Sequence, residues 1–155
     1  MRKLLLLGTH TLVLAIGFAL GVYFLPILTA PKAPDEATLI ASAQRAMFSA
    51  EFSRKLKGSD FLHWGEGTVS ITSTQIVHMG ALAPGPDYML YLVPEFVEDE
   101  DEFEAVKGDS LNIGPIKTFD GFIIDMPAEV DLSKYTTVLV WCEAFGEFIT
   151  AARYR

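Results

Sequence analysis

Cysteine and basic side chains are scarce in this sequence of 155 residues, which contains Cys142 alone and 12 lysine or arginine residues against 20 acidic ones. A single cysteine excludes an intramolecular disulfide and every site built on a C-x-x-C spacing. In an oxidising exterior compartment it is buried, bonded to another molecule or bound to a ligand. The formal net charge of −8 disfavours the phosphate contacts that nucleic-acid binding needs, so we expect no nucleic-acid partner.

Motifs of common enzymes are also missing. The sequence has no G-x-S-x-G elbow, no H-E-x-x-H pair and no glycine loop for phosphate, which leaves a hydrolase with little support. A catalytic carboxylate pair assembled by folding stays open, because acidic residues are plentiful. We therefore leave enzymatic activity undecided and favour its absence.

One long apolar segment opens the chain. Residues 4–28 form an uncharged run of 25 residues preceded by Arg2 and Lys3, and as a helix this run spans about 37 Å, enough for a hydrocarbon core of about 30 Å. A signal peptide has a shorter apolar region before its cleavage site, and here a proline follows the nearest such site, at Ala30. We predict an uncleaved single-pass anchor in the cytoplasmic membrane, with residues 1–3 in the cytoplasm and the C-terminal domain periplasmic or extracellular.

Two further features concern partners. Gly17 and Gly21 are spaced as G-x-x-x-G, a pattern that lets two membrane helices approach closely and suggests a homodimer only weakly. The acidic remainder of the chain should be repelled by anionic lipid headgroups.

A linker with a short helix is predicted at 29–46, before a β domain at 47–155. The three prolines between residues 26 and 34 should end the membrane helix and extend the chain. Asp35 can cap a helix that runs to about Arg45.

The β domain is predicted from short segments separated by turns. Thr72-Ser73-Thr74 joins two of them as a hairpin, and Pro84-Gly85-Pro86-Asp87 is a strong turn signal. This spacing predicts a mainly β fold, an antiparallel β-sandwich or barrel-like domain behind an N-terminal transmembrane helix. The predicted strands cover 48–52, 63–72, 75–79, 88–93, 119–126, 137–142 and 145–151.

The strand that ends at Cys142 is predicted to be central. Side chains alternate along a strand, so Val138, Val140 and Cys142 share one face. Leu139 and Trp141 share the other. Both faces are apolar, as in a strand that is covered on both sides.

An acidic run separates two of the predicted strands. Seven carboxylates lie between Glu95 and Glu104. A calcium loop needs a sharp glycine turn and regularly spaced oxygen ligands, and this run lacks both. We predict a solvated, mobile loop.

Short motifs in the β domain form an ordered set. They are His63-x-Gly65-x-Gly67, Gly85-Pro86-Asp87-Tyr88, Gly114 within 111–117, Met126-Pro127, Asp131 to Tyr135, and Val140-Trp141-Cys142 with Phe145. The set runs from about Met47 to Arg153 and resembles the DM-thirteen domain family, the DOMON-associated module described as an electron-transfer domain.

This resemblance implies a compact β-sandwich-like domain, secreted or membrane-tethered, with a cysteine proposed to be redox-active. Cys142 matches that cysteine, and His63 matches the histidine of the early hairpin. Glu147 stands where an inward apolar residue is expected. We expect any haem-bearing partner to be a separate polypeptide.

Three chemical roles compete for Cys142. A redox thiol needs a lowered pKa, which the adjacent Glu143 opposes and only His63 or a distant lysine would favour. A haem or copper ligand would act with His63, His78 or Met79, although the sequence requires no cofactor and leaves its identity unknown. A buried hydrophobe needs no further group.

Other candidate residues carry less weight. His63 and Trp141 are candidate ligand-binding residues. His78 is expected to be a hydrogen-bonded surface histidine, and Trp64 and Trp141 to be core or rim aromatics.

The sequence thus favours a membrane-anchored domain outside the cytoplasm that supports redox or electron-transfer chemistry through Cys142 with a protein partner. The alternative is a non-catalytic binding or assembly module in which Cys142 is structural.

Overall fold

The computed structural model describes residues 1–155. Its helices are α1 (Arg2–Thr29), α2 (Glu36–Ala43) and α3 (Glu100–Val106). Its strands are β1 (Phe48–Phe52), β2 (Gly65–Ile71), β3 (Gln75–Leu82), β4 (Tyr88–Val93), β5 (Leu111–Ile116), β6 (Phe122–Asp125), β7 (Thr137–Cys142) and β8 (Glu147–Arg153).

The eight strands form two antiparallel sheets of four. The first sheet has the order β1-β2-β3-β6 and the second the order β5-β4-β7-β8. β1 lies against β8 and β5 against β6, so the sheets meet at both edges. This arrangement confirms the predicted mainly β fold with an antiparallel double layer behind a long apolar helix.

The central position predicted for β7 is confirmed. All six of its residues are buried, because each face meets a different apolar layer. Val138, Val140 and Cys142 belong to the core between the two sheets. Leu139 and Trp141 belong to a second core, which covers the outer face of the second sheet.

The glycines of the early hairpin are explained by close backbone contacts. Gly67 pairs with Gly80 across β2 and β3, and its φ of +110° lies in a region that side-chain-bearing residues rarely adopt. A Cβ atom on Gly67 would lie 2.3 Å from the Met79 carbonyl oxygen. A Cβ atom on Gly65 would lie 2.4 Å from the Cγ2 atom of Thr150 in the opposite sheet. A larger side chain would therefore push the β2 and β3 backbones apart at Gly67, and would displace the Thr150 and Leu82 side chains at Gly65.

The loop predicted for the acidic run is found only at residues 95–99, and the prediction was wrong for the rest of the run. Its C-terminal half forms α3, with the Asp99 side chain accepting the Glu102 backbone N–H at 2.9 Å. Phe103 is fully buried in the second core. Lys57 forms ion pairs with Asp99 and Glu102, and these neutralise part of the charge that was expected to keep the segment solvated.

α1 is long enough and apolar enough to cross a membrane, and signal sequences share this property. Pro26 lies inside it, so the prediction that this proline ends the helix was wrong. None of its residues is buried, and it has no hydrogen bond or ion pair with the rest of the chain. The β domain therefore has a complete core without α1.

The linker helix and two strands differ from their predicted bounds, and β5 was not predicted as a strand. Asp35 caps α2 by accepting the Thr38 backbone N–H at 2.8 Å, as predicted, although α2 ends at Ala43. The strand predicted at 119–126 is confined to β6. The last strand begins at the half-buried Glu147, because a turn with Gly146 at a φ of +68° precedes it.

Candidate functional site

Cys142 lies where β7 leaves the sandwich. Three connections meet at this end of the domain: residues 60–64 before β2, residues 83–87 between β3 and β4, and residues 143–146 after β7. We call this surface the cavity end. Together with α1 these connections border a partly open cavity of about 320 Å³.

Apolar side chains form most of the cavity wall. Tyr88 sits beside Cys142 because the two residues are paired across β4 and β7. Pro86 and Phe145 come from the two connections next to them. The α1 side of the cavity is formed by Phe18, Ala19, Val22 and Tyr23. Such a cavity suits an apolar group in preference to a charged one.

Cys142 is 3% exposed, and its thiol donates a hydrogen bond to the Pro86 carbonyl oxygen at 3.1 Å. Burial raises the pKa of the Cys142 thiol above its ordinary value, and the backbone N–H groups of Phe145 and Ala144 only partly offset this. The charges of Asp87 and Glu147 raise it further. The group is therefore a thiol at neutral pH.

His63 reaches the same cavity as Cys142. Its Nδ1 atom lies 3.1 Å from an Asp60 carboxylate oxygen, and its backbone N–H donates to the other oxygen at 2.7 Å. Asp60 thus fixes both the loop and the ring. The structure brings together two of the predicted site residues, while the ligand role of His63 stays a prediction.

His78 is not at the surface, and that prediction was wrong. Its ring is fully buried between Phe52 and Phe122, with ring centroids 5.2 and 5.0 Å away. Its Nε2 atom lies 3.0 Å from the Glu66 carbonyl oxygen. Met79, the next residue of β3, points to the opposite face. Neither residue lines the cavity, so a haem or copper site that joins them to Cys142 is ruled out.

Trp141 is a core aromatic residue, which agrees with the prediction of a core or rim position. Its ring packs on Phe103 with a centroid distance of 4.9 Å, on the face of the second sheet opposite Cys142. Trp141 therefore does not line the Cys142 cavity, and its role as a ligand-binding residue stays a prediction. Trp64 is half-buried beneath the Arg54 guanidinium, 3.2 Å from its ring centroid.

A polar network beside the second core was not predicted. The Glu143 carboxylate accepts hydrogen bonds from Lys107 Nζ at 2.6 Å and from the Tyr91 hydroxyl. Burial opposes ionisation of this carboxyl, but the bonds from Lys107 and Tyr91 outweigh it and lower the pKa of Glu143. Burial and the bond to Glu143 raise the pKa of Tyr91 to about 12.

The network also corrects one sequence-based expectation. Glu143 was expected to raise the pKa of Cys142, but its carboxylate turns toward Lys107, and Asp87 and Glu147 have that effect instead. No signal in the sequence predicts this arrangement, because Lys107 and Tyr91 are 36 and 52 positions from Glu143.

No group of three or more histidine, cysteine, aspartate or glutamate side chains is placed to hold a metal ion. The cavity end therefore offers one thiol, one histidine and an apolar wall. These groups can bind an apolar surface and exchange a disulfide, with His63 and Cys142 as the two potential ligands.

Comparison with known proteins relates this arrangement to a family. No curated protein and no solved structure matches the chain. The sequence profile of one family, described as electron transfer DM13, matches residues 55–154, which include β2 to β8 and the whole cavity end of the β domain. The chain belongs to the electron transfer DM13 family.

Proposed function

We propose that this protein is a membrane-anchored electron-transfer accessory whose β domain lies outside the cytoplasm and acts on a protein partner through Cys142. The observation that carries the proposal is the position of the only thiol, at the wall of a cavity next to α1 and not at the centre of the core. The family's description as an electron-transfer domain supports the same conclusion. Arg2 and Lys3 before the apolar segment favour an exterior C-terminus.

Thiol–disulfide exchange is a redox reaction that a single thiol supports when the partner supplies a disulfide. The Cys142 thiolate attacks a disulfide of the partner, so that one S–S bond breaks and one forms between the two proteins. The released sulfur of the partner takes up the proton that Cys142 has lost. Because the pKa of Cys142 is raised, little of the group is thiolate at neutral pH, and the reaction becomes faster as the pH rises.

A binding or assembly module is the second candidate function. It is favoured by the low exposure of Cys142 and by its hydrogen bond to Pro86, which are typical of a structural cysteine. In that case the cavity end binds a partner without redox chemistry.

Because Cys142 and His63 line the same cavity, one cofactor arrangement is kept as an alternative, in which these two residues hold a haem or copper group. A homodimer through Gly17 and Gly21 is also part of the proposal. The surface of α1 is open at both glycines, because nothing lies within 4 Å of a Cβ atom at either one. Both remain subordinate to the thiol chemistry.

Absorbance spectra of the full chain in detergent, oxidised and reduced, distinguish these alternatives when wild type and Cys142→Ser are compared. Visible bands that vanish in the variant establish a bound group, whereas featureless spectra in both exclude haem and copper. Urea unfolding of the same pair gives the second criterion. A redox cysteine predicts a variant that is folded and about as stable as wild type, and a structural cysteine predicts a loss of about one to a few kcal/mol.

A further inference from the structure

Exposed large apolar side chains of the β domain are concentrated at the cavity end. Phe61 is 90% exposed, Phe145 56% and Leu62 47%. After α1 only two other large apolar residues are exposed, Ile40 and Met47. Three such side chains in neighbouring loops form a patch of the kind that marks an interaction surface.

Phe61, Leu62 and Phe145 lie beside the same part of α1, at Tyr23. Leu62 and Phe145 line the cavity together with Tyr23, and Phe61 and Leu62 line an adjacent groove that also includes Tyr23. A helix needs about 20 residues to cross the hydrocarbon core, so a span that begins at Leu4 ends near Tyr23. Tyrosine side chains prefer that membrane–water boundary.

The connection between α1 and the domain is short. Six residues, Ala30 to Asp35, separate α1 from α2, and they reach at most about 20 Å when extended. α2 is fixed to the sheet through the buried Leu39, close to Gly121. The domain is thus held near the end of α1, with the cavity end beside it.

Several polar groups of the exposed loop and its neighbours are paired within the protein. The Asp60 carboxylate accepts the backbone N–H groups of Leu62 and His63, and Arg54 pairs with Glu66 at 2.7 Å. These pairs lower the cost of moving the loop into the interface, where the remaining backbone groups can still bind water. Apolar contact does not need anionic lipid, which the acidic chain would repel.

We propose that the lipid bilayer covers the cavity end, with Phe61, Leu62 and Phe145 inserted in the outer interface and the Cys142 cavity open toward lipid. The proposal rests on the anchoring part of the proposed function, since α1 sets the level of these side chains. It also means that a partner reaches Cys142 along the membrane and not from bulk water.

The first test places a fluorophore at single positions of the full chain in phosphatidylcholine vesicles. In a Cys142→Ser background, Phe61→Cys and Phe145→Cys are labelled with an environment-sensitive dye. Ser73→Cys, in the exposed turn between β2 and β3, is the matched control at the opposite end of the domain. We expect at least fivefold stronger quenching by shallow nitroxide lipids at 61 and 145 than at 73, and the reverse order for aqueous iodide. Equal iodide quenching at all three positions overturns the proposal.

The second test separates the patch from the anchor. Residues 30–155, whose core is complete without α1, are mixed with phosphatidylcholine vesicles and floated. Phe61→Ser with Phe145→Ser should lower the bound fraction at least tenfold, whereas Met47→Ser, at a similarly exposed apolar residue away from the patch, should leave it unchanged.

The outcomes are distinguishable. If the fragment binds vesicles and loses binding with Phe61→Ser, while the full chain does not float with vesicles, the anchor is rejected and the patch is kept. A full chain that floats, with fluorophores at 61 and 145 accessible to iodide, rejects the patch and keeps the anchor. A fragment that dimerises without lipid through Phe61 shows that a second copy covers the surface, which overturns the proposal.

Discussion

At the scale of single residues, His78 is the clearest case of a titratable group buried in its neutral form. The Glu66 carbonyl can only accept, so the Nε2 atom carries the hydrogen. The Nδ1 atom has no partner, and protonating it would bury an unpaired positive charge. Burial lowers the pKa of His78, which the bond to Glu66 and the charge of Glu51 offset only partly.

We therefore predict acid sensitivity that depends on His78. The pKa of His78 is lower in the folded than in the unfolded state. The contribution of its neutral ring to the free energy of unfolding is therefore fully present above the unfolded pKa of about 6.5, and it is lost as the pH falls through the folded pKa. Urea unfolding of residues 30–155 at several pH values between 7.5 and 5 should show the free energy of unfolding falling in wild type. The non-titrating variant His78→Gln should show a smaller fall, and parallel profiles for the two proteins would contradict the assignment.

Phe103, in the acidic segment, determines where the helix α3 packs. α3 is short, and isolated helices of this length are marginal in water. Its cap at Asp99 and the ion pairs of Lys57 contribute, but Phe103 is the side chain that places it on Tyr91 and Trp141, at centroid distances of 5.2 and 4.9 Å.

At the scale of the element, Phe103→Ala should lower the free energy of unfolding by about 3–5 kcal/mol, the usual cost of emptying a buried aromatic site. Glu104→Ala, at the exposed next position of α3, should change it by less than about 0.5 kcal/mol. Chemical denaturation of both variants measures the difference. A cost below about 1 kcal/mol for Phe103→Ala would indicate that α3 is held by its charges after all.

Which elements were predictable from sequence follows from how local their causes are. The central position of β7 was predicted correctly, because a strand that is covered on both faces is apolar at every position. The Asp99 to Glu102 spacing carried a capping signal, but the density of carboxylates concealed it. His78 was placed wrongly because its own strand does not reveal which face the second sheet covers. The cavity depends on loops far apart in sequence, so only Cys142 and His63 could be named in advance.

At the scale of the whole molecule, α1 and the β domain are chemically distinct. α1 has a mean hydropathy of 2.3 over its most apolar window, while most of the charge lies in the β domain. In sealed vesicles with the exterior face outward, a membrane-impermeant amine reagent should label lysines of the β domain, such as the exposed Lys55. Inverted vesicles should leave them unlabelled until detergent is added. The opposite pattern would place the domain in the cytoplasm.

The most direct test of the central claim is the rate at which Cys142 of residues 30–155 forms a mixed disulfide with glutathione disulfide, measured by mass spectrometry across low urea concentrations. An electron-transfer role predicts reaction from the folded state: a rate proportional to reagent, rising with pH because the thiol pKa is raised, and nearly independent of urea. A structural cysteine reacts only after global unfolding, so its rate would rise with urea as steeply as the unfolding equilibrium itself. That second result would contradict the proposed function and leave Cys142 as part of the core.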